Sequence, residues 1–315
     1  MKTKFICYSA PGRIALFGVH AALYGKPTLV CAINKRLSIT FTPTKKTHYT
    51  DDVFPKLEQS VIHYLSQKKI EVKRKGFSYH IESTLPIKRG LGSSGALCAC
   101  VAAGLLELFT GERWNKDEVN ICAYQMEKHF HKYSSGVDTS TSIMGGFLYV
   151  RKEFEFLKTL SSLPIKVPQR FIESLILIDT GDPTEKADEI QHAIGSSFNA
   201  RNTMTETLLN ENEKITKRIV VSLMKEDIEF FKEIIQKNQT ILKQLGVVSH
   251  KTILLLNLLK NNGVGTVIGW GGAKDASGYV LFFSQDINKC KAILDNTPFS
   301  YEDFVPDYRG LVKEQ

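Results

Sequence analysis

The 315-residue sequence predicts a mixed α+β protein in two parts. Three observations carry that prediction. The first half is rich in short strand-like runs, of which Leu37-Ser38-Ile39-Thr40-Phe41 alternates apolar and polar with the period of two of a half-buried strand. An apolar stretch over residues 96–109 reads as one buried helix. The second half places a long, mostly polar helical region, ending near Leu245, between apolar strands at 175–179 and 279–283. A charged stretch over 151–170 reads as irregular chain crossing between the halves, so the expected domains are residues 1–165 and 166–315.

In chain order, residues 4–10 form a short strand that Pro11-Gly12 is expected to end. Arg13 follows, then a second apolar run at 14–17 and a turn at Gly18-Val19-His20-Ala21. Strands are expected at 28–33, 37–41 and 77–81, a polar loop at 42–52 and a helix at 53–67, where Val61, Ile62 and Leu65 share a face. Past the buried helix, 116–130 reads as a helix with Asp117 and Glu118 at its dipole-favoured start. Glu127 stands at the unfavourable end of that helix, which solvation or a functional role would explain. Strand 147–150, a leucine-rich helix at 249–261 and a glycine-rich loop at 263–278 complete the reading.

Composition narrows the class. Hydrophobic residues make up 43% and charged residues 23%, as in globular chains. No apolar run approaches the roughly 20 residues that span a bilayer, and the first seven residues hold too short an apolar core for a signal peptide. No membrane partner is therefore expected. The formal charge of +8 is dispersed, apart from Lys68-Lys69 and Lys73-Arg74-Lys75, so nucleic acid is not expected as a partner either. Six cysteines lie mostly in apolar segments with no C-x-x-C pair, which predicts reduced thiols, no zinc site and a cytoplasmic location.

The stretch Gly90-Leu91-Gly92-Ser93-Ser94-Gly95 has a direct chemical use. Its glycines let the backbone turn tightly and approach a ligand, and the helix start behind it favours an anion such as phosphate. Ser93 and Ser94 add hydroxyls able to cap the helix, bind a phosphate oxygen or ligate Mg²⁺. A plain capped helix start after a glycine turn is the competing reading. No Gly-Lys-Ser/Thr follows, so this is not a Walker A loop.

Further glycine-bearing segments share the chain: Pro11-Gly12-Arg13 with Gly18-Val19-His20, then Gly136-Val137-Asp138 with Gly145-Gly146, then Gly269-Trp270-Gly271-Gly272. In order and spacing they resemble the GHMP kinases, which include galactokinase, homoserine kinase, mevalonate kinase and phosphomevalonate kinase. The resemblance spans nearly the whole chain and is greatest to the mevalonate kinases. It implies an N-terminal domain like the second domain of ribosomal protein S5 and a ferredoxin-like C-terminal domain. It also implies ATP and Mg²⁺, with ATP phosphates at Gly90, Leu91, Gly92, Ser93, Ser94 and Gly95, and the metal at Ser94 and Glu127. Asp138 would take or orient the acceptor's hydroxyl proton and Arg13 would keep that carboxylate ionised. Without the resemblance, Arg13 reads as a surface residue at a strand end and Asp138 as a cap.

The substrate side implied by the resemblance comprises Val19, His20, Thr180, Gly271, Gly272 and Lys274, and a homodimer is compatible with it. Two departures from the family pattern bear on the acceptor. Val19 stands where these kinases carry glutamate, and the last loop reads Gly269-Trp270-Gly271-Gly272-Ala273-Lys274 in place of a run of glycines. The implied acceptor is mevalonate. A phosphorylated mevalonate is the alternative, because Lys274, with Lys88 and Arg89, would suit a phosphate. A non-catalytic metabolite sensor on the same fold is the remaining reading.

Overall fold

The computed structural model describes residues 5–72, 76–86, 90–130, 135–154, 157–163 and 165–314. Lys73, Arg74, Lys75, Lys88 and Arg89, all named above, lie outside the described residues. The chain divides into two compact units, each visited more than once. The first holds residues 1–13, 31–147 and 306–315; the second holds 14–30 and 148–305.

In the first unit, strand β1 (Ile6–Phe17) runs straight through Pro11-Gly12 and on into the second unit. The expected break is absent because proline's fixed φ suits extended backbone, and only its missing N–H need be tolerated. β2 (Thr28–Thr44) likewise joins two expected strands into one. Helix α1 (Phe54–Gln67) and strand β3 (Gly76–Ser83) follow, β3 pairing antiparallel with β2 from Leu37↔Ser83 to Thr44↔Gly76. β10 (Val312–Glu314) pairs antiparallel with β1, which brings the chain's last residues back to its first strand.

Helix α2 (Ser93–Thr110) is the core of this unit and packs against α1, α3 (Lys116–Glu127) and α4 (Val137–Met144). It is apolar on all sides, as a helix enclosed by neighbours should be. Among the described residues it is the one helix long and apolar enough to cross a membrane, and it is mostly buried inside the protein. α4, Val-Asp-Thr-Ser-Thr-Ser-Ile-Met, has no strong helix former before Met144 and was not expected as a helix. Two of its buried hydroxyls turn back on the helix and its N-cap: Ser140 Oγ donates to Gly136 O at 2.6 Å and Thr141 Oγ1 to Val137 O at 2.7 Å, whereas Thr139 Oγ1 reaches out to Glu127 and Ser142 Oγ has no protein partner.

The second unit holds the ends of β1 and β2 with β4 (Phe147–Phe154) and β5 (Leu157–Leu163), in the sheet order β1-β2-β4-β5. The charged stretch expected to be irregular is thus largely strand, because sheet pairing outweighs its weak apolar pattern. A second sheet has the order β7-β8-β6-β9, with β6 (Leu175–Asp179) and the fully buried β8 (Tyr279–Phe283) at its centre. β7 (Val264–Val267) arises inside the stretch read as loop, and β9 (Ser300–Asp303) closes the other edge. α5 (Gln169–Ile172) and α6 (Ala187–Asn199) precede two long helices. Those helices, α7 (Thr203–Lys225) and α8 (Ile228–Gln244), pack on each other, and α8 and α9 (His250–Leu259) pack on β7. α10 (Ile287–Leu294) buries Leu294 and Cys290 against the same core.

The segment at 306–314 is tied to the first unit by charge. Asp307 is buried, pairs with the Arg36 guanidinium, and accepts the Arg309 and Gly310 N–H groups at 2.8 and 3.1 Å. Arg36 also donates to Ser9 O at 2.9 Å and Gly310 O at 2.8 Å.

Candidate active site

The glycine loop enters α2 through two left-handed residues, Gly90 (φ 71°) and Gly92 (φ 72°). Gly92 is the N-cap position and no side chain caps the helix, so the first-turn N–H groups are not claimed by an N-cap side chain. A Cβ on Gly92 would lie 2.7 Å from Arg13 Cγ, so glycine is needed there for space as well as for φ. Leu91 O accepts the Arg13 N–H at 2.8 Å, which docks the loop on β1. Ser93 and Ser94 are half-buried at the start of the helix.

Arg13 and Asp138, 125 residues apart, form an ion pair. Arg13 Nε donates to Asp138 Oδ1 at 2.8 Å and Nη2 lies 2.6 Å from the same oxygen. Nη1 reaches Gly90 O at 3.1 Å, so one guanidinium holds both the carboxylate and the glycine loop. Only 11% and 13% of the two side chains is exposed, and a pair this sheltered is screened less than a surface one. A Cβ on Gly95 would lie 2.6 Å from the Asp138 carbonyl carbon, so α2 and α4 touch backbone to backbone and bring Ser94 near the start of α4.

Glu127 is buried, contrary to a solvated reading, and its Oε2 accepts the Thr139 Oγ1–H at 2.9 Å and N–H at 3.4 Å. Burial first, then the carboxylates of Glu127 and Asp138, push the Cys98 thiol up, which puts both acids near one inert sulfur. Among the described residues no three His, Cys, Asp or Glu side chains converge as a metal cluster. The oxygens of Ser94 and Glu127 are hard donors of the type Mg²⁺ takes, and they fit an ion whose other ligands come from phosphate and water.

The remaining candidates lie in the second unit. Gly18 (φ 85°) leads into a 3₁₀ helix, Val19–Tyr24, on which Val19 is half-buried and His20 only 1% exposed. The His20 ring packs edge-on against Trp270, with centroids 5.3 Å apart. Burial lowers its pKa to about 4. The sign of the pH effect follows. Above pH 6.5 the imidazole is neutral folded or unfolded, whereas between pH 6.5 and about 4 the unfolded chain takes a proton that the folded one refuses. Stability should therefore fall by up to about 3 kcal/mol as pH drops through that window. His20→Gln should flatten that part of a stability-versus-pH curve; equal slopes in both proteins would contradict it.

Thr180 is buried, donates its hydroxyl to Gly278 O at 2.7 Å and accepts the Ser277 N–H at 3.0 Å. Ser277 Oγ in turn donates to Gly272 O at 3.0 Å and accepts from Thr252 Oγ1 at 2.9 Å. This hydroxyl cluster braces the last glycine loop, and the Ser277-Gly278 pair was its one visible sign in the sequence. Gly272 N–H bonds Val247 O at 2.9 Å, and a Cβ on Gly271 would meet that same oxygen at 2.3 Å. Sequence reasoning missed Glu185. Its Oε1 accepts the N–H groups of Ala273 and Lys274, each at 3.1 Å, and these bonds lower its pKa against the larger effect of desolvation.

Known proteins agree with this picture. Residues 57–146 match the model of the GHMP kinases N terminal domain. The mevalonate kinase of Pyrococcus horikoshii is 26% identical over 280 residues, 79% of this chain and 80% of that protein. The Methanococcus jannaschii mevalonate kinase superposes with a TM-score of 0.74 at 18% identity, covering 97% of this chain and 99% of that one. Lactococcus lactis galactokinase, crystallised with galactose, superposes with a TM-score of 0.73 at 16% identity, covering 99% and 95%. The fold is that of a two-sheet α+β small-molecule kinase. The chain belongs to the GHMP kinase superfamily and is an ATP-dependent phosphotransferase.

Proposed function

We propose that this kinase transfers the γ-phosphoryl group of ATP to the primary hydroxyl of mevalonate. The observation that carries the reading is the Arg13–Asp138 pair, bound through Arg13 to the glycine loop that opens α2. The 26% identity to a mevalonate kinase over 79% of the chain supports the choice of acceptor.

In this reading residues 1–165 supply the ATP side. Backbone N–H groups at Gly90, Leu91, Gly92, Ser93, Ser94 and Gly95 hold phosphate oxygens at the helix start. Asp138 accepts the acceptor's hydroxyl proton or orients that oxygen for in-line attack, and Arg13 fixes the carboxylate's position. Ser94 and Glu127, with phosphate oxygens, would hold Mg²⁺, and the ion would supply positive charge against the phosphates. Residues 166–315, with the turn at Val19 and His20, select the acceptor. Thr180 acts there by holding the loop at Gly271 and Gly272, since its hydroxyl proton is committed to Gly278 O.

Glu185 bears on the alternative acceptor. A carboxylate on the Lys274 N–H adds negative charge where a phosphorylated mevalonate would need attraction, which favours the unphosphorylated form. The test is kcat/KM for mevalonate, its 3- and 5-phosphates, galactose and homoserine, in wild type and Lys274→Ala. Mevalonate is expected to lead, little changed by the substitution. A tenfold preference for a phosphate ester, abolished in Lys274→Ala, would select the alternative. No ATP turnover with any acceptor would select the sensor reading.

A further inference from the structure

A cavity of about 10 Å³ lies in the second unit beneath the turn at residues 18–20, lined in part by Gly18, His20, Asn212, Asn238, Leu242 and Gly269. That is close to the volume one water needs. Three buried polar atoms on its wall have no protein partner: both ring nitrogens of His20 and Oδ1 of Asn212. Each of these side chains is 1% exposed. Buried polar atoms are costly to leave unmet, so the Asn212 oxygen and a His20 ring nitrogen on residues lining one water-sized space define a hydration site.

The amide of Asn212 is oriented by a chain of bonds behind it. Its Nδ2 donates to Asn238 Oδ1 at 3.0 Å, and Asn238 Nδ2 donates to Thr266 Oγ1 at 2.9 Å. Thr266 Oγ1 passes its own proton to Val267 O at 3.4 Å. These bonds orient both amides and leave the Asn212 carbonyl oxygen as an acceptor on a residue that lines the same cavity as His20.

We propose that one buried water joins His20 to Asn212, and that the chain His20–water–Asn212–Asn238–Thr266 positions the turn that carries Val19. The water donates to Asn212 Oδ1 and exchanges its second bond with a ring nitrogen of His20. The turn is thereby tied to α7, α8 and β7. Through the edge-on contact of His20 with Trp270, and the Gly269 N–H bonded to Ala15 O at 3.0 Å, the same chain sets the start of the last glycine loop. His20 is then a positioning residue rather than one that touches the acceptor. The effect on the acceptor rests on the reading that this turn selects it; the water itself does not.

Two experiments test these parts separately. A crystal structure at a resolution that shows ordered water should contain one water within about 2.7–3.2 Å of both Asn212 Oδ1 and a His20 ring nitrogen. Clear density without it overturns the proposal, whatever the acceptor proves to be. The kinetic arm uses whichever acceptor the panel shows to be turned over. Asn212→Leu, a near-isostere that removes the acceptor atom and with it the water's anchor, should raise the acceptor KM about tenfold and leave the KM for ATP unchanged. Asn212→Ser, which replaces the amide with a hydroxyl able to accept from water and adds room for it, should recover much of that loss and serves if the leucine variant does not fold. In a cycle with His20→Ala the two losses should be non-additive. Additive losses, or a lower melting temperature with an unchanged acceptor KM, would overturn the positioning role.

Discussion

Asparagine at position 138 is expected to lower kcat by about 10²–10⁴ while ATP still binds. The amide keeps the shape of the carboxylate and can still accept from Arg13 Nε, whose present bond to Oδ1 is 2.8 Å. It cannot take a proton from the acceptor hydroxyl, and it carries no charge to hold the guanidinium. Arg13 also bonds Gly90 O, so the glycine loop keeps one of its anchors and nucleotide affinity should change less than turnover. The measurement is single-turnover phosphoryl transfer alongside ATP binding, on protein with a wild-type circular dichroism spectrum. Turnover within a few-fold of wild type would reduce Asp138 to a structural partner of Arg13.

Asp307→Ala should cost about 3–5 kcal/mol in the stability of the first unit. The substitution strands the Arg36 guanidinium in a sheltered site and frees the Arg309 and Gly310 N–H groups that Asp307 Oδ1 now accepts. Arg36 keeps its bonds to Ser9 O and Gly310 O, which is why the loss should not reach the full cost of an isolated buried charge. Asp307→Asn keeps an acceptor for both N–H groups and should lose less than half as much. Denaturant titration of the three proteins checks the ranking. A loss below about 1 kcal/mol in Asp307→Ala would show that the pair closes the chain end without stabilising it.

Much of the site was legible because its residues lie in short local patterns. A glycine pair before a helix, an arginine after Pro11-Gly12 and an aspartate after Gly136 each carry their own backbone requirement, and that requirement is written in consecutive residues. Helix α2 was legible for the same reason, since an uninterrupted apolar run has only one stable place, inside. The resemblance to GHMP kinases rested on those segments taken together, and the match at residues 57–146 covers the central ones.

Other features depended on contacts that no local pattern encodes. The bases of Ser-Thr-rich α4 and of strand β5 are packing and sheet pairing, which override weak propensity. Glu127 read as solvated or functional with equal ease, and only the approach of Thr139 shows its carboxylate to be buried and bonded. Arg36 and Asp307 are 271 residues apart, and nothing near either one announces the other. The same holds for Glu185 on the Lys274 N–H and for His20 and Asn212 lining one cavity. Sequence by itself determined where the backbone must turn, which helix must be inside and which residues could handle a phosphate. Tertiary structure alone decided which charges meet and which polar atoms share a cavity, because those energies depend on distance and burial, and neither is a property of neighbours along the chain.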